Sequence, residues 1–538
     1  MPIIDSLVHA YSNFLRYAHH HLLLVIAAGL ALVFLIALAT MPKILTWLRD
    51  DEIIGHVGTL SYTRRTLFMV FAWLLWGDFC VQIMWQVFPS ITPVTMQSVG
   101  SNNALIGLVC TTIPNILNLI ICPWVSFKSD RHRSKWGRRR PFMLLPTAMI
   151  TIFLVLIGVS PDIGRHLHAH FVNWHFSQSA MILTLIAVFS VGFGYFNMFI
   201  DTVYWYLFND VVPDVYLGRF VGLFRVVANI ATAGFNFMIF PLIYTHSNHV
   251  DLGHVRWIFI GCGLLYLVGF SLMTINLREG EYPPPPENVD GQVGIISSIK
   301  TYFVECFSHR FYLIFYMATT FVDLVACIAV FEIFLQNKSL GLSGEQVGII
   351  RGTALLLTAV LAYPAGMLSD KFHPIRTTIY GLIALVILTP SRLLYLFYVF
   401  TPQTAYKIEF GLQMLLIPAT SLLLAAKLPM YMRLLPSERY GQYCAAQGSF
   451  KSLVAIVFGL LAGVFMDLMA KVCAHFHMVP TYYYKFVPIW TWACYIGALI
   501  LTLMVYRSWK TMGGDKHYVP PAVGCVAQGE RALTADNV

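Results

Sequence analysis

The chain alternates long apolar runs with short polar breaks. The first run is His21 to Met41, and twelve more follow at about residues 65–89, 104–127, 141–160, 180–208, 217–244, 255–276, 309–336, 344–368, 376–400, 407–432, 440–468 and 485–507. Each is close to the roughly 20 residues that a helix needs to cross a bilayer. Inside hydrocarbon every backbone N–H and C=O must find its partner within the spanning element, so the pattern predicts helices.

The polar breaks orient these helices. Between the second and third of the twelve core runs lies Ser129-Asp-Arg-His-Arg-Ser-Lys-Trp-Gly-Arg-Arg-Arg-Pro-Phe142, preceded by Lys128. A short, strongly basic loop between two spans is retained on the cytoplasmic side. A shortened echo, Ser369-Asp-Lys-Phe-His-Pro-Ile-Arg376, sits between the eighth and ninth core runs. The same loop in corresponding places predicts two related halves, as in many secondary transporters. The expected organisation is an extension over 1–64 with one extra transmembrane helix and an outer N-terminus, a six-helix bundle over 65–276, and a cytoplasmic linker over 277–308 containing Pro283 to Pro286. A second six-helix bundle follows over 309–507, then a disordered cytoplasmic tail over 508–538.

Composition excludes several alternatives. The chain is 58% hydrophobic and 11% charged, which leaves little room for a soluble domain. Its net charge of +9 lies mostly in alternate loops, so it signals topology and no nucleic-acid partner is expected. The ten cysteines include no Cys-x-x-Cys pair, and the histidines show no metal-ligand spacing on a helix face. No metal or cofactor is therefore expected. A membrane transferase would need catalytic groups, but no Asp-x-Asp pair, catalytic histidine motif or sizeable soluble loop occurs, and the protein is not expected to be an enzyme.

Charges inside apolar runs are costly, about 2.5–3.5 kcal/mol each at mid-bilayer on insertion scales, so they face partners or a cavity. Those well inside the spans are Asp78, Asp201, Arg225, Asp323, Glu332, Arg351, Lys427, Lys451 and Asp467. For each, a structural ion pair is the alternative to a transport role. Asp201 stands out because Trp205 lies one turn away on the same helix face. A carboxylate beside an indole can hold a sugar, the acid accepting hydroxyl hydrogens and the ring covering the C–H face. Arg225 adds a donor; lipid or helix packing is the alternative for Trp205.

The loop Ser129 to Phe142 resembles the signature loop of plant sucrose transporters and their animal relatives. The wider pattern is similar to the glycoside–pentoside–hexuronide:cation symporters, which include melibiose permease; both belong to the major facilitator superfamily. Gly77-Asp78-Phe79 matches a sugar-binding Lys-Asp-Phe motif, and Asp201-Thr-Val-Tyr-Trp205 resembles an Asp-x-Pro-Phe-Trp segment that contacts sugar. Arg225 falls where the family has a sugar-binding arginine, and Lys451 near its coupling lysine. The resemblance covers about residues 65–507 and implies an all-α polytopic major facilitator fold. The sodium-coupled members carry two carboxylates in the second core helix, where this chain has Asn118 and Cys122. Sodium prefers hard oxygen ligands, so this departure favours proton coupling.

The expectation is thus a monomeric secondary transporter, a proton symporter of a disaccharide or other glycoside, in a bacterial cytoplasmic membrane. Asp78, Asp201, Trp205, Arg225 and Asn118 would bind substrate; Asp78, Asp201 and Lys451 would couple it to the proton. Asp130, Arg131, Gly137, Arg138, Asp370 and Lys371 would form a cytoplasmic gate. The alternatives are a lipid or amphiphile transporter on the same fold, and a sugar uniporter.

Overall fold

A computed structural model describes residues 53–57, 59–170, 177–245, 249–280, 306–436 and 440–521. The apolar run His21 to Met41 lies outside the described residues. An antiparallel hairpin, β1 (Ile53–Val57) and β2 (Leu60–Thr63), precedes the first helix. Among the described residues twelve helices are long and apolar enough to span a membrane. They are α1 Arg64–Ser98, α2 Asn103–Ser126, α3 Pro141–His170, α4 Gln178–Phe208, α5 Leu223–Ile243 and α6 Leu252–Asn276, then α7 Arg310–Ser339, α8 Gly344–Ser369, α9 Pro374–Phe397, α10 Pro402–Leu434, α11 Gln442–His475 and α12 Tyr482–Thr511. Each coincides with one of the twelve core runs. Several run past the apolar segment: α1 continues to Ser98 through Pro89 and Pro93, because a proline inside a helix kinks it without ending it when neighbouring helices cover the freed carbonyl.

The chain divides into two compact units. The first comprises residues 1–285 with 333–356 and 463–467, and the second comprises 286–332, 357–462 and 468–538. The end of α7, the start of α8 and a turn of α11 group with the first unit. In the first unit α3 packs on α4, α3 on α6, and α1 on α6; in the second, α9 packs on α10, α9 on α12, and α7 on α12. These are the same pairings six helices later, so the duplication suggested by the two loops extends to the packing.

Close packing explains part of the sequence. At Gly269 an added Cβ would lie 2.3 Å from Cys80 Sγ, so α6 approaches α1 more closely than any side chain allows. The core of the first unit is aromatic, with Tyr204, Phe208, Phe220, Phe224 and Phe270 in mutual ring contact. Asp467 also belongs to this unit. Its carboxylate accepts from the backbone N–H groups of Asn103 (3.1 Å) and Ala104 (2.9 Å) and from Asn103 Nδ2 (2.8 Å). An intramembrane charge is thereby neutralised at a helix N-terminus, where free N–H groups and the helix dipole favour an anion.

Of the expected tail over 508–538, residues 508–521 are described. Helix α12 reaches Thr511, and a short turn, Gly514–His517, follows. Tyr518 donates to the carbonyl of Leu434 (2.8 Å), Tyr312 donates to that of Pro521 (2.9 Å), and Arg376 pairs with Asp515. These contacts fix the chain through Pro521; they join residues far apart in sequence, which composition does not reveal.

Candidate functional site

Two faces of the first unit bring the sequence candidates together. On α1, Asp78, Gln82 and Trp85 recur at helical spacing, and on α4 so do Asn197, Asp201 and Trp205. Trp85 Nε1 donates to Asn197 Oδ1 at 3.0 Å, which ties the two polar faces to each other. Asp78 is fully buried; its Oδ1 accepts from Gln82 Nε2 at 3.0 Å, while Oδ2 has no hydrogen-bond partner. Arg225, exposed on α5, lies within electrostatic range of Asp78. A buried carboxylate oxygen without a donor is costly, and either a substrate hydroxyl or a proton would satisfy it.

Asp201 is half-buried, and Cys122 of α2 lies within its electrostatic reach and against Thr202. Asn118 is half-buried one turn before Cys122. Cys122 of α2 therefore brings a thiol into the neighbourhood of Asp201. Trp205 is 38% exposed, one edge set against Phe208 and Phe224 at ring-centroid distances of 5.7 and 5.3 Å. The aromatic core fixes one edge of the indole and leaves the rest partly exposed.

In the second unit Lys451 does not stand alone. Lys427 Nζ lies 2.8 and 3.0 Å from the two carboxylate oxygens of Asp323, and Lys451 Nζ lies 3.4 Å from Asp323 Oδ2. Two cations share one anion. A cavity of about 30 Å³ lined by Thr319, Thr378, Lys427 and Thr502 lies alongside, with room for water but not for a sugar. Missed by a search confined to charges well inside spans are Gln82, Trp85 and Asn197, which are uncharged, and Arg392 and Glu409, which lie nearer helix ends.

The basic loop is explained mainly by its own unit. Glu279, just past α6, places its carboxylate against the backbone N–H groups of Arg138 (2.8 Å), Arg139 (3.0 Å) and Arg140 (2.8 Å). Arg138 Nη2 lies 2.7 Å from both carboxylate oxygens of Asp210, to which Arg139 Nε also donates at 3.1 Å. Arg140 donates to the carbonyls of Thr274 and Ile275, both at 2.7 Å, which caps the end of α6. Of the gate residues, Gly137 and Arg138 thus take part in an anion cradle that joins the α2–α3 loop to the ends of α4 and α6. Lys371 is exposed, with its Nζ over the Phe372 ring. The side chains of Asp130, Arg131 and Asp370 lie outside the described residues.

The second loop uses the same backbone device. Gly137 precedes α3 with φ of 103°, and His373 precedes α9 with φ of 71°. His373 Nδ1 accepts from the N–H of Ile375, capping α9, and its ring sits 4.6 Å from that of Trp509. Burial, with the Arg433 charge adding to it, pushes its pKa down to about 4 from 6.5. Between those values the unfolded chain binds the proton and the folded protein does not, so stability is full above about pH 6.5 and falls as pH drops towards 4. Thermal unfolding in detergent across that range is expected to show this loss, and His373→Asn, which keeps a capping acceptor but does not titrate, is expected to reduce the slope.

Comparison with known proteins agrees with this architecture. A family model for the Major Facilitator Superfamily matches residues 206–401. A bacterial homologue of the human lysosomal transporter Spinster, inward-facing and unoccupied, superposes with a TM-score of 0.58 at 13% identity, covering 86% of this chain and 100% of that one. A D-xylose-proton symporter superposes with a TM-score of 0.55 at 14% identity, covering 81% and 95%. The chain has the major facilitator fold. The matched family is one of multi-pass membrane transporters and not of enzymes. In sequence, the chain is 35% identical over 113 residues to the sucrose transport protein SUT5 of Oryza sativa subsp. indica, and 38% identical over 84 residues to SUC3 of Arabidopsis thaliana. These matches cover 21% and 16% of this chain and 20% and 14% of the relatives, so the chain spans about a fifth or less of the length of the curated relatives it matches.

Proposed function

We propose that the protein is a secondary active transporter that carries a disaccharide or other glycoside together with a proton. The observation that supports this most is the tied pair of faces on α1 and α4. It offers Asp78 with an unsatisfied oxygen, Asp201, and a partly exposed Trp205 held by packed phenylalanines. Carboxylates would accept sugar hydroxyls, Arg225 would donate to them, and the indole would cover the apolar face of a ring. The resemblance to sucrose transport proteins over 113 residues supports the substrate class. Cys122 and Asn118 make the α2 face a poor sodium site, which favours the proton. Lys451 and Lys427 around Asp323 would respond to charge changes as the transport cycle proceeds. The membrane of residence belongs to the same proposal: a bacterial cytoplasmic membrane is the sequence expectation, whereas the sucrose transport relatives are plant proteins.

Uptake into proteoliposomes tests this. Radiolabelled sucrose, melibiose or maltose is expected to accumulate under an inward proton gradient without sodium, and a protonophore is expected to stop it. Uptake indifferent to the gradient would make the protein a uniporter; no sugar uptake by folded protein, with lysolipid bound instead, would favour an amphiphile carrier.

A further inference from the structure

At the end of the second unit away from its basic loop, two short connections carry apolar side chains into the open. The connection from α9 to α10 begins with Phe397, Tyr398 and Val399, which are 80%, 59% and 89% exposed. The connection from α11 to α12 carries Phe476, Met478 and Val479, the first and last both 66% exposed. The Tyr482 hydroxyl donates to the carbonyl of Leu396, so the two connections form one surface. Neither is a loose end. The N–H of Met478 donates to the carbonyl of Cys473 (2.9 Å) and that of His477 to the carbonyl of Ala474 (3.1 Å), the paired bonds that stop a helix when the residue after its cap turns left-handed. His477 has φ of 52°, where glycine would be less strained, so the turn that carries these side chains outward is built and held.

Apolar side chains that project together beyond helix ends are costly in water and mark a contact surface. Two features say what it contacts. Exposed apolar residues recur at helical spacing along α9 (Tyr380, Ile383, Ile387, Leu394) and along α11 from Leu453 to Val472. These faces of membrane-spanning helices, the ones that hydrocarbon covers, run on without a break into Phe397 and Phe476. The flanking charges are all of one sign. No Asp or Glu occurs in 393–408 or 468–486, whereas Lys407 and Lys471 are exposed, with His475 and His477 beside them. Tyr398, Tyr482 and Tyr483 add rings of the kind that settle at headgroup level. We infer that the two connections form a membrane anchor: their apolar side chains lie at the boundary between headgroups and acyl chains, and Lys407 and Lys471 hold the phosphates of anionic phospholipids. Continuity with the lipid-covered faces, together with the lack of acids in the patch, favours lipid over a second copy or a soluble partner. This surface is separate from the proposed substrate site and does not depend on what is carried.

Photolabelling of the full-length protein in liposomes reads both sides of this boundary. A phospholipid with a diazirine near the top of its acyl chain, used as phosphatidylglycerol and as phosphatidylcholine, is compared with a water-soluble diazirine, and labelled peptides are mapped by mass spectrometry. Residues 397–400 and 476–480 are expected to take label from the lipid probes, severalfold more from phosphatidylglycerol, and little from the aqueous probe. The aqueous probe is expected to label the polar α1–α2 connection instead, at exposed Gly100 and Asn102. Lys407→Gln combined with Lys471→Gln, both exposed and outside the packed core, is expected to remove the phosphatidylglycerol excess while the phosphatidylcholine label persists. Strong aqueous labelling of both connections overturns the inference, and so does labelling by no probe, as under a partner protein or a second copy. Equal labelling by the two lipids in the unaltered protein, or an excess that survives the double variant, overturns it as well.

Discussion

Asp201→Asn is expected to abolish uphill sugar accumulation and to weaken passive sugar exchange about 10–100-fold, the cost of losing charge-assisted hydrogen bonds of roughly 1.5–3 kcal/mol. The amide still presents one acceptor beside Trp205, so binding is reduced and not eliminated, but it cannot gain and lose a proton. Two readouts therefore separate two roles. Accumulation driven by the proton gradient measures coupling, and counterflow exchange at equal pH measures sugar recognition. Trp205→Ala is expected to weaken exchange through lost stacking while the remaining uptake still follows the gradient, and Trp205→Phe is expected to restore much of it. Full gradient-driven accumulation by Asp201→Asn would remove Asp201 from the coupling role and leave Asp78 to carry it.

The contrast between what the sequence shows and what it hides follows from the physics of each feature. The twelve helices are legible because hydrocarbon demands long apolar runs, and a run records its own length. Their expected orientation rests on the basic loops, which mark one side of the membrane. Tertiary partners are not legible in this way. Nothing local to Asp467 indicates that it caps the start of α2, more than 360 residues earlier. The Glu332–Arg392–Glu409 cluster draws one residue from each of three helices, and two of the three lie close enough to span ends to read as interfacial.

The candidate site shows the same division. Asp201 and Trp205 are paired by helical spacing alone, so one sequence segment reveals both. Gln82, Trp85 and Asn197 become visible only when α1 and α4 meet, because an uncharged polar residue carries little signal by itself. The basic loop shows it too. Of its residues Asp130, Arg131, Gly137 and Arg138 are expected in a gate, and Arg138 together with Arg139 and Arg140 also has internal roles, pairing with Asp210, cradling Glu279 and capping α6. A cluster of cations in sequence does not say which of them are already neutralised.

Gly137→Ala is expected to have the largest effect on folding. At φ of 103° the backbone disfavours any residue with a Cβ, a strain of about 1–3 kcal/mol. A Cβ there would also lie 2.8 Å from the Glu279 carboxyl carbon and 2.9 Å from its Oε1. The carboxylate is the far end of a flexible side chain and can retreat. Retreat, however, releases the three backbone N–H groups of Arg138, Arg139 and Arg140 that it holds. The combined loss is expected to reach about 3 kcal/mol or more, enough to lower both the yield of monodisperse protein and its unfolding temperature. A double-mutant cycle isolates the cause. In Glu279→Ala the cradle is already empty, so adding Gly137→Ala should then cost only the backbone strain, and the two changes should be markedly less than additive. Strict additivity would mean that the glycine serves its own turn alone and that the cradle does not depend on it. Sub-additivity would establish that this glycine exists so that a carboxylate from the end of α6 can lock the loop in place.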